Sequence, residues 1–337
     1  MSEGIVLRFA GTLSLLSLLF IKGYPQDTGL KPVRLMFYNV ENLFDTLDDT
    51  LREDDEFLPY GIRRWNSKRY YLKINSLYKT IAASGEWDTQ DIIGLCEVEN
   101  RKVLEDLIYS TNLSRYDFDL VHEDSPDPRG IDVGLIYRKD RVKILRYSYL
   151  SPPDFSRHGF RTRSVLHAEC VIYEDTIHLF VNHWPSRRGG VLAAETQRSE
   201  IALMVSCKTD SISEVSDGKA KIIIMGDFNS TPDDQVIISS GSMKLINLSE
   251  RLPAGSGTYR YMGTWELIDQ VIVSESLINS DHGLYTSPEL FRIFKPDFLL
   301  KSDPKYPGVS PFSTYRGYRY QGGYSDHLPV ILDLKNR

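Results

Sequence analysis

Short apolar runs that break off into polar residues recur along this chain, and they organise its reading. The clearest is Ile222 to Met225, a run rich in β-branched residues without polar alternation, which predicts a strand buried on both faces. It leads straight into Gly226, Asp227 and Asn229, and Ser230-Thr231-Pro232 ends it. A carboxylate and an amide thus stand where a buried sheet meets solvent, the usual place for the chemistry of α/β enzymes. Gly226 lets the backbone turn or be approached closely. Taken alone, G-D-F-N also fits an Asx-turn whose side chains only bond nearby amides.

The pattern repeats. Val33 to Tyr38 predicts a first strand, followed by Asn39, Glu41 and Asn42. A helical period through Tyr71, Ile74, Leu77, Tyr78 and Ile81, capped by Asn66 or Ser67, returns the chain to a second strand, Asp91 to Cys96, which ends in Glu97. This strand, helix, strand order is a crossover that brings Asn39 and Glu97 to neighbouring strand ends. After a short helix at Lys102 to Ser110, five closely spaced strands are expected: Tyr116 to Val121, Ile131 to Tyr137, Val142 to Leu150, Ser164 to Ile172 and Thr176 to Asn182. Their spacing and alternation predict antiparallel pairing.

The last of these strands delivers His183, and the adjoining loop carries Arg187, Arg188, Gly189 and Gly190, equipment for approaching an anion. A helix from Leu192 to Asp210 is expected to turn Ile201, Leu203, Met204 and Val205 inward. Strands follow at Gly257 to Tyr261 and Leu267 to Val273. Asp269 sits inside the second, where a buried carboxylate costs several kcal/mol unless a histidine, arginine or metal pairs with it. The stretch Tyr285 to Tyr324 has no clear period and interleaves six cations with tyrosines and Phe312. It fits either a phosphorylated or stacked substrate or a solvated loop anchored by its tyrosines. Ser325-Asp326-His327 then opens a final strand through Leu334.

Composition adds bounds. With 337 residues and 41% hydrophobic content the chain can bury a sizeable core. A formal charge of −6 and a pI near 5.7 argue against a general basic surface for nucleic acid and leave anions to be met locally. Cys96, Cys170 and Cys207 have no C-x-x-C spacing, so neither a disulfide framework nor cysteine-ligated zinc is expected. The apolar stretch from Phe9 to Ile21 after Arg8 reads as the core of an export signal or as an uncleaved anchor, residues 1–26, with a single domain over 28–337 and a periplasmic or extracellular destination.

Collected, the strand-end polar groups are Asn39, Glu97, His183, Asp227, Asn229, Asp269, Asp326 and His327, and oxygen donors without thiolates point to magnesium, manganese or calcium. The ordered motifs F-Y-N-V-E-N, L-C-E-V-E-N, N-H-W-P-S, G-D-F-N-S, L-I-D-Q-V-I-V and S-D-H-L-P-V resemble the endonuclease/exonuclease/phosphatase superfamily, from Val33 to the end of the chain. The resemblance implies an α/β fold, a four-layer α/β/β/α sandwich of two facing, mainly antiparallel mixed sheets. It implies Glu97 as metal ligand, with Asn39 and Asp326 beside it and Glu41 as a further candidate. Asp227 and Asn229 match the pair that aligns water and holds the scissile phosphate. His327, partnered by Asp269, matches the histidine that contacts the phosphoryl group. His183 matches a second histidine, with Asp132 as the candidate acid orienting it, and Arg163 matches a phosphate-contacting arginine, joined by Arg187 and Arg188 in binding substrate. The activity so implied is metal-dependent phosphodiester hydrolysis, on DNA or RNA first, by a monomer without an obligate protein partner. A phospholipid or phosphosugar phosphoesterase is the alternative, and a binding module with a decayed site the third reading.

Overall fold

Alternation along the strands deals the apolar residues out to three cores, and those cores define the layers. Leu35 and Phe37 face Leu179, Val181, Ile223 and Met225 between two sheets. Their neighbours in sequence point the other way: Met36 and Tyr38 meet Ile74, Leu77 and Ile81, while Phe180, Ile222 and Ile224 meet Ile201, Ala202 and Val205. A strand that is apolar at every position is therefore covered on both faces.

The computed structural model describes residues 1, 29–86, 88–152, 161–186, 190–234 and 243–337. The segment read as an export signal or anchor, with Arg187 and Arg188, lies outside the described residues. The elements in order are β1 (Val33–Leu43), α1 (Ser67–Gly85), β2 (Ile92–Val98), α2 (Arg101–Tyr109), β3 (Phe118–Val121), β4 (Asp132–Arg138), β5 (Val142–Leu150), β6 (Val165–Ile172), β7 (Asp175–His183), α3 (Val191–Val215), β8 (Lys221–Asp227) and β9 (Leu245–Asn247). They continue with β10 (Tyr259–Tyr261), β11 (Thr264–Glu266), β12 (Asp269–Ser274), α4 (Glu275–Ile278), β13 (Leu284–Tyr285), β14 (Phe291–Ile293), β15 (Leu300–Ser302), β16 (Val309–Pro311), β17 (Tyr315–Arg316), β18 (Arg319–Tyr320) and β19 (Val330–Asn336).

One sheet runs β13-β19-β1-β2-β4-β3 with β14 also on β19, and the other runs β5-β6-β7-β8-β12-β9. Each contains one parallel pair, β1 with β2 and β7 with β8, and the remaining pairings are antiparallel. Helices α1 and α2 cover the outer face of the first sheet and α3 that of the second, giving the four layers expected. Asn66 caps α1 by accepting from the Arg69 amide. At Gly94 a Cβ would collide with the Met225 methyl and stand 3.3 Å from Val181, so glycine there lets the sheets approach.

Two expectations change. Leu203 is 53% exposed on α3, because a residue two positions from Ile201 and two from Val205 falls on the opposite face of a helix. The stretch from 285 to 324 shows no period because it is built of strands two or three residues long, including the hairpins β15–β16 and β17–β18. Several of its cations lie over aromatic rings: Lys295 is 3.7 Å from Trp265, Lys301 4.7 Å from Phe312 and Lys305 5.1 Å from Tyr306. All three cysteines are free.

Candidate active site

Strand register brings the polar strand ends together. In the second sheet, parallel pairing sets His183 beside Asp227, and antiparallel pairing sets Asp269 on its other side. In the first sheet, Asn39 lies next to Cys96, one residue before Glu97. Asn39 crosses the gap between the sheets: its Nδ2 donates to Glu97 Oε1 at 3.2 Å and to Asp227 Oδ2 at 3.0 Å. The segment before β19 supplies Asp326 and His327, with His327 bridged to Tyr259 of β10. The result is a cavity of about 470 Å³ whose lining includes Glu97, His183, Asp227, Asn229, Asp326 and His327. Gly226 is needed for close approach, since a Cβ there would stand 2.6 Å from the Asn182 carbonyl oxygen.

The backbone is held in unusual conformations where it presents these groups. Glu97 has φ +61°, Asn42 +52° and Asn229 +48°, a left-handed region costly for side chains other than glycine. Local hydrogen bonds hold two of these turns: Glu97 Oε2 accepts from the Asn42 amide at 2.9 Å, and Asp227 Oδ1 from the Asn229 amide at 2.9 Å. Asn229 Nδ2 donates to the Trp184 carbonyl at 2.9 Å.

Burial sorts the titratable groups. Asp227 is pushed up to about 7, first by desolvation and then by the charge of Asp269. His183 is driven well below an ordinary histidine by burial and by Arg163, Arg129 and His327, so it is a neutral imidazole. Burial opposes the charge on His327 too, but Asp269, 2.7 Å from Nδ1, together with Asp227 and Asp326 holds it well above the ordinary value as an imidazolium. Asp326 is raised by burial, with the Glu97 carboxylate adding to the shift. Two histidines in one cavity are thus set to opposite charge states.

Glu97 and Asp326 are carboxylates lining one cavity whose charges oppose each other, so they would hold a hard divalent ion that relieves this repulsion. Groups of acidic and histidine side chains close enough to bind a metal are also present. Two clusters of close ligand atoms, Cys96-His183-Asp227 and Asp227-Asp269-His327, are poorer candidates. Burial pushes the Cys96 thiol well up, which keeps it protonated, and the second cluster is an acid-histidine chain already paired within itself.

Three of the residues expected here have other partners. Asn39 turns its oxygen to the Glu41 amide at 3.0 Å and presents N–H to the carboxylates, so its hydrogen bonds position Glu97 and Asp227. Glu41, at φ +52°, turns away and accepts the Thr314 and Tyr315 amides at 2.6 and 2.9 Å, anchoring that segment. Asp132 does not orient His183: its Oδ2 stands 3.6 Å from His122 and its Oδ1 accepts from the Ser125 amide, while His183 Nδ1 has no hydrogen-bond partner.

Arg163 lines the cavity, braced by Asp127 Oδ2 at 3.0 Å and the Trp184 carbonyl at 2.7 Å, with its Nε left unpartnered. Arg129, also in the lining, lies 3.4 Å from the same Asp127. Neither Arg129 nor Asp127 follows an apolar strand; the only sequence signal is the S-P-D-P-R-G turn before β4. Tyr259 tilts against the His327 ring, centroids 4.9 Å apart.

Solved structures of several proteins share this architecture. They include D. rerio TDP2 humanized by 14 mutations, at 14% identity and TM-score 0.57, covering 90% of this chain and 98% of that one. The endonuclease/exonuclease/phosphatase from Bacteroides vulgatus is 16% identical with TM-score 0.57, covering 91% and 100%. The Bacteroides thetaiotaomicron mannosyl-6-phosphatase is 15% identical with TM-score 0.52, covering 90% and 99%. At such identities the likeness speaks for the fold alone. No curated protein sequence matches the chain. The Endonuclease/Exonuclease/phosphatase family matches residues 34–336, with its ordered motifs converging on one cavity, and this protein belongs to that family.

Proposed function

We propose that this protein is a divalent-metal-dependent phosphodiesterase whose substrate is nucleic acid, an exported endonuclease. Family membership carries phosphoester hydrolysis in general. The narrower reading rests on one observation: Asp227, poised near neutrality, shares its cavity with a neutral His183, an imidazolium His327 and two arginines. Magnesium or manganese held by Glu97 and Asp326 would supply neutralisation of the charge on the phosphoryl oxygens. Asp227, aligned by Asn39 and by the Asn229 amide, orients water for in-line attack and takes its proton near pH 7. His327 donates to a phosphoryl oxygen as a cation fixed by Asp269, and Arg163 and Arg129 meet the same anion. His183 donates an N–H without adding charge. Export is supported by the apolar stretch from Phe9 to Ile21 alone.

The test compares hydrolysis of bis-p-nitrophenyl phosphate with nicking of plasmid DNA, each with magnesium, manganese or chelator, beside Asp227→Ala. Metal-dependent nicking that falls by about two orders of magnitude in the variant is expected. Nicking that survives in Asp227→Ala would remove the mechanism. A second reading, a compact sugar or lipid head-group phosphoester, is favoured by the size of the cavity, about 470 Å³ with Tyr259, Tyr261 and Ile268 in its lining. Diester hydrolysis without nicking, insensitive to salt, would select it.

A further inference from the structure

The cation-rich segment before Asp326 holds a second cavity, and it differs in charge from the first. About 320 Å³ in volume, it lies between the hairpins β15–β16 and β17–β18. Three cations reach it, Lys301, Arg316 and Arg319, with the hydroxyls of Ser302, Ser310 and Ser313. Its described lining contains no carboxylate, in a chain with 46 acidic and 40 basic residues. Lys301 lies over Phe312 at 4.7 Å and bonds Gln321 at 3.2 Å. Arg316 is paired with Asp303 at 3.5 Å, a carboxylate it shares with Arg260 at 3.7 Å, which leaves Lys301 and Arg319 as the cations that face no carboxylate among the described residues.

These hairpins are fastened to the catalytic cavity from two sides. Arg260 of β10 donates to the carbonyls of Val309 and Pro307, both at 2.6 Å, and the neighbouring Tyr259 and Tyr261 line the catalytic cavity. On the other side, Glu41 holds the amides of Thr314 and Tyr315, and Arg63 bonds the Gly317 carbonyl at 2.9 Å. These contacts tie both hairpins to elements that line or border the catalytic cavity. A polynucleotide carries a phosphate at every nucleotide along one backbone, so it can offer one phosphate to each cavity.

We infer that the cavity bounded by Lys301, Arg316 and Arg319 is a second phosphate-binding site, which engages the backbone of a polynucleotide beyond the phosphodiester being cleaved. This inference rests on the nucleic-acid reading of the catalytic site and names the feature that separates a polynucleotide from a compact phosphoester. Cations with hydroxyl donors in a concave, acid-free surface bind phosphate without reading sequence, so binding should be salt-dependent and sequence-tolerant.

The experiment uses the mature protein, Arg319→Glu, Lys301→Glu/Arg319→Glu and the milder Arg319→Gln. Four quantities are measured: bis-p-nitrophenyl phosphate turnover, plasmid nicking, anisotropy of a labelled oligonucleotide in an Asp227→Ala background over a salt series, and binding to phosphatidylserine vesicles. The double variant should nick and bind about tenfold more weakly, and its log K against log salt should flatten by about 0.7 to 0.9 for each phosphate no longer neutralised. Turnover of the small diester should stay within about twofold of wild type, which also reports that the variant is folded. Unchanged nicking and salt slope, with wild-type nicking intact, would overturn the second site alone. Wild type that hydrolyses the diester but neither binds nor nicks polynucleotide would overturn both readings. Equal losses on diester and plasmid would overturn the second site by assigning these cations to the catalytic cavity or the fold. A larger loss of binding to phosphatidylserine vesicles than to the oligonucleotide would overturn it in favour of a lipid surface.

Discussion

Replacing Asp269 by asparagine tests the chain that sets the charge of the phosphate-facing imidazole. Asp269 Oδ2 stands 2.7 Å from His327 Nδ1 and both side chains are buried. Opposite charges about 4 Å apart interact by about 4 kcal/mol at an effective permittivity of about 20. Without the carboxylate, burial, the largest influence on His327 and one that opposes its charge, has less to overcome, so the ring loses its proton at lower pH. With less of the imidazolium present at pH 8, turnover there should fall by roughly one to two orders of magnitude. The same substitution removes the charge that adds to the effect of burial in raising Asp227. The assay is kcat for bis-p-nitrophenyl phosphate against pH at saturating metal. Wild type should rise through about pH 7 as Asp227 ionises and hold until His327 loses its proton. In Asp269→Asn both limbs should move to lower pH. An alkaline limb that stays in place would refute the assignment of His327 as a cation held by Asp269.

Three further outcomes follow from packing and burial. Glu99, raised to about 8 by burial and by Asp45, Asp54 and Asp49, binds its proton more tightly folded than unfolded, so stability falls as pH rises from about 4.5 to about 8. Glu99→Gln should therefore stabilise the protein by up to about 3 kcal/mol at pH 7 and little at pH 4, and equal melting shifts at both pH values would contradict this. Gly226→Ala would place a Cβ 2.5 Å from the Asn182 Cβ; a loss of about 1 to 3 kcal/mol in urea unfolding is expected, with reduced turnover from a displaced Asp227. Lys73, 2% exposed, bonds Thr314 Oγ1 and the Tyr324 carbonyl and lies close enough to Glu41 and Asp326 for their charges to act on it. Lys73→Met should cost about 3 kcal/mol, and a loss below about 1 kcal/mol would show that those carboxylates find other compensation.

Much of this is legible in the chain. Apolar runs mark β1, β2 and β8 because those strands are covered on both faces, and polar residues at their ends mark the site because irregular backbone there meets solvent. The need of Asp269 for a partner follows from its place inside an apolar run, and the structure supplies His327. The short hairpins between 285 and 324 are illegible, since two or three residues carry no period. The family resemblance makes Asn39 and Glu41 candidate metal ligands, whereas the direction of an amide or carboxylate depends on which backbone groups face it. Arg129 and Asp127 have no strand beside them to flag them.

The sequence by itself determined which segments are buried, which polar groups end them and the order in which family motifs occur. The tertiary structure alone decided their charge states. Asn39 reaches Asp227 across 188 residues of chain, and Asp269 reaches His327 across 58. Desolvation and Coulomb interaction depend on distance and burial in space, so the same residue type emerges as a neutral His183 and a charged His327.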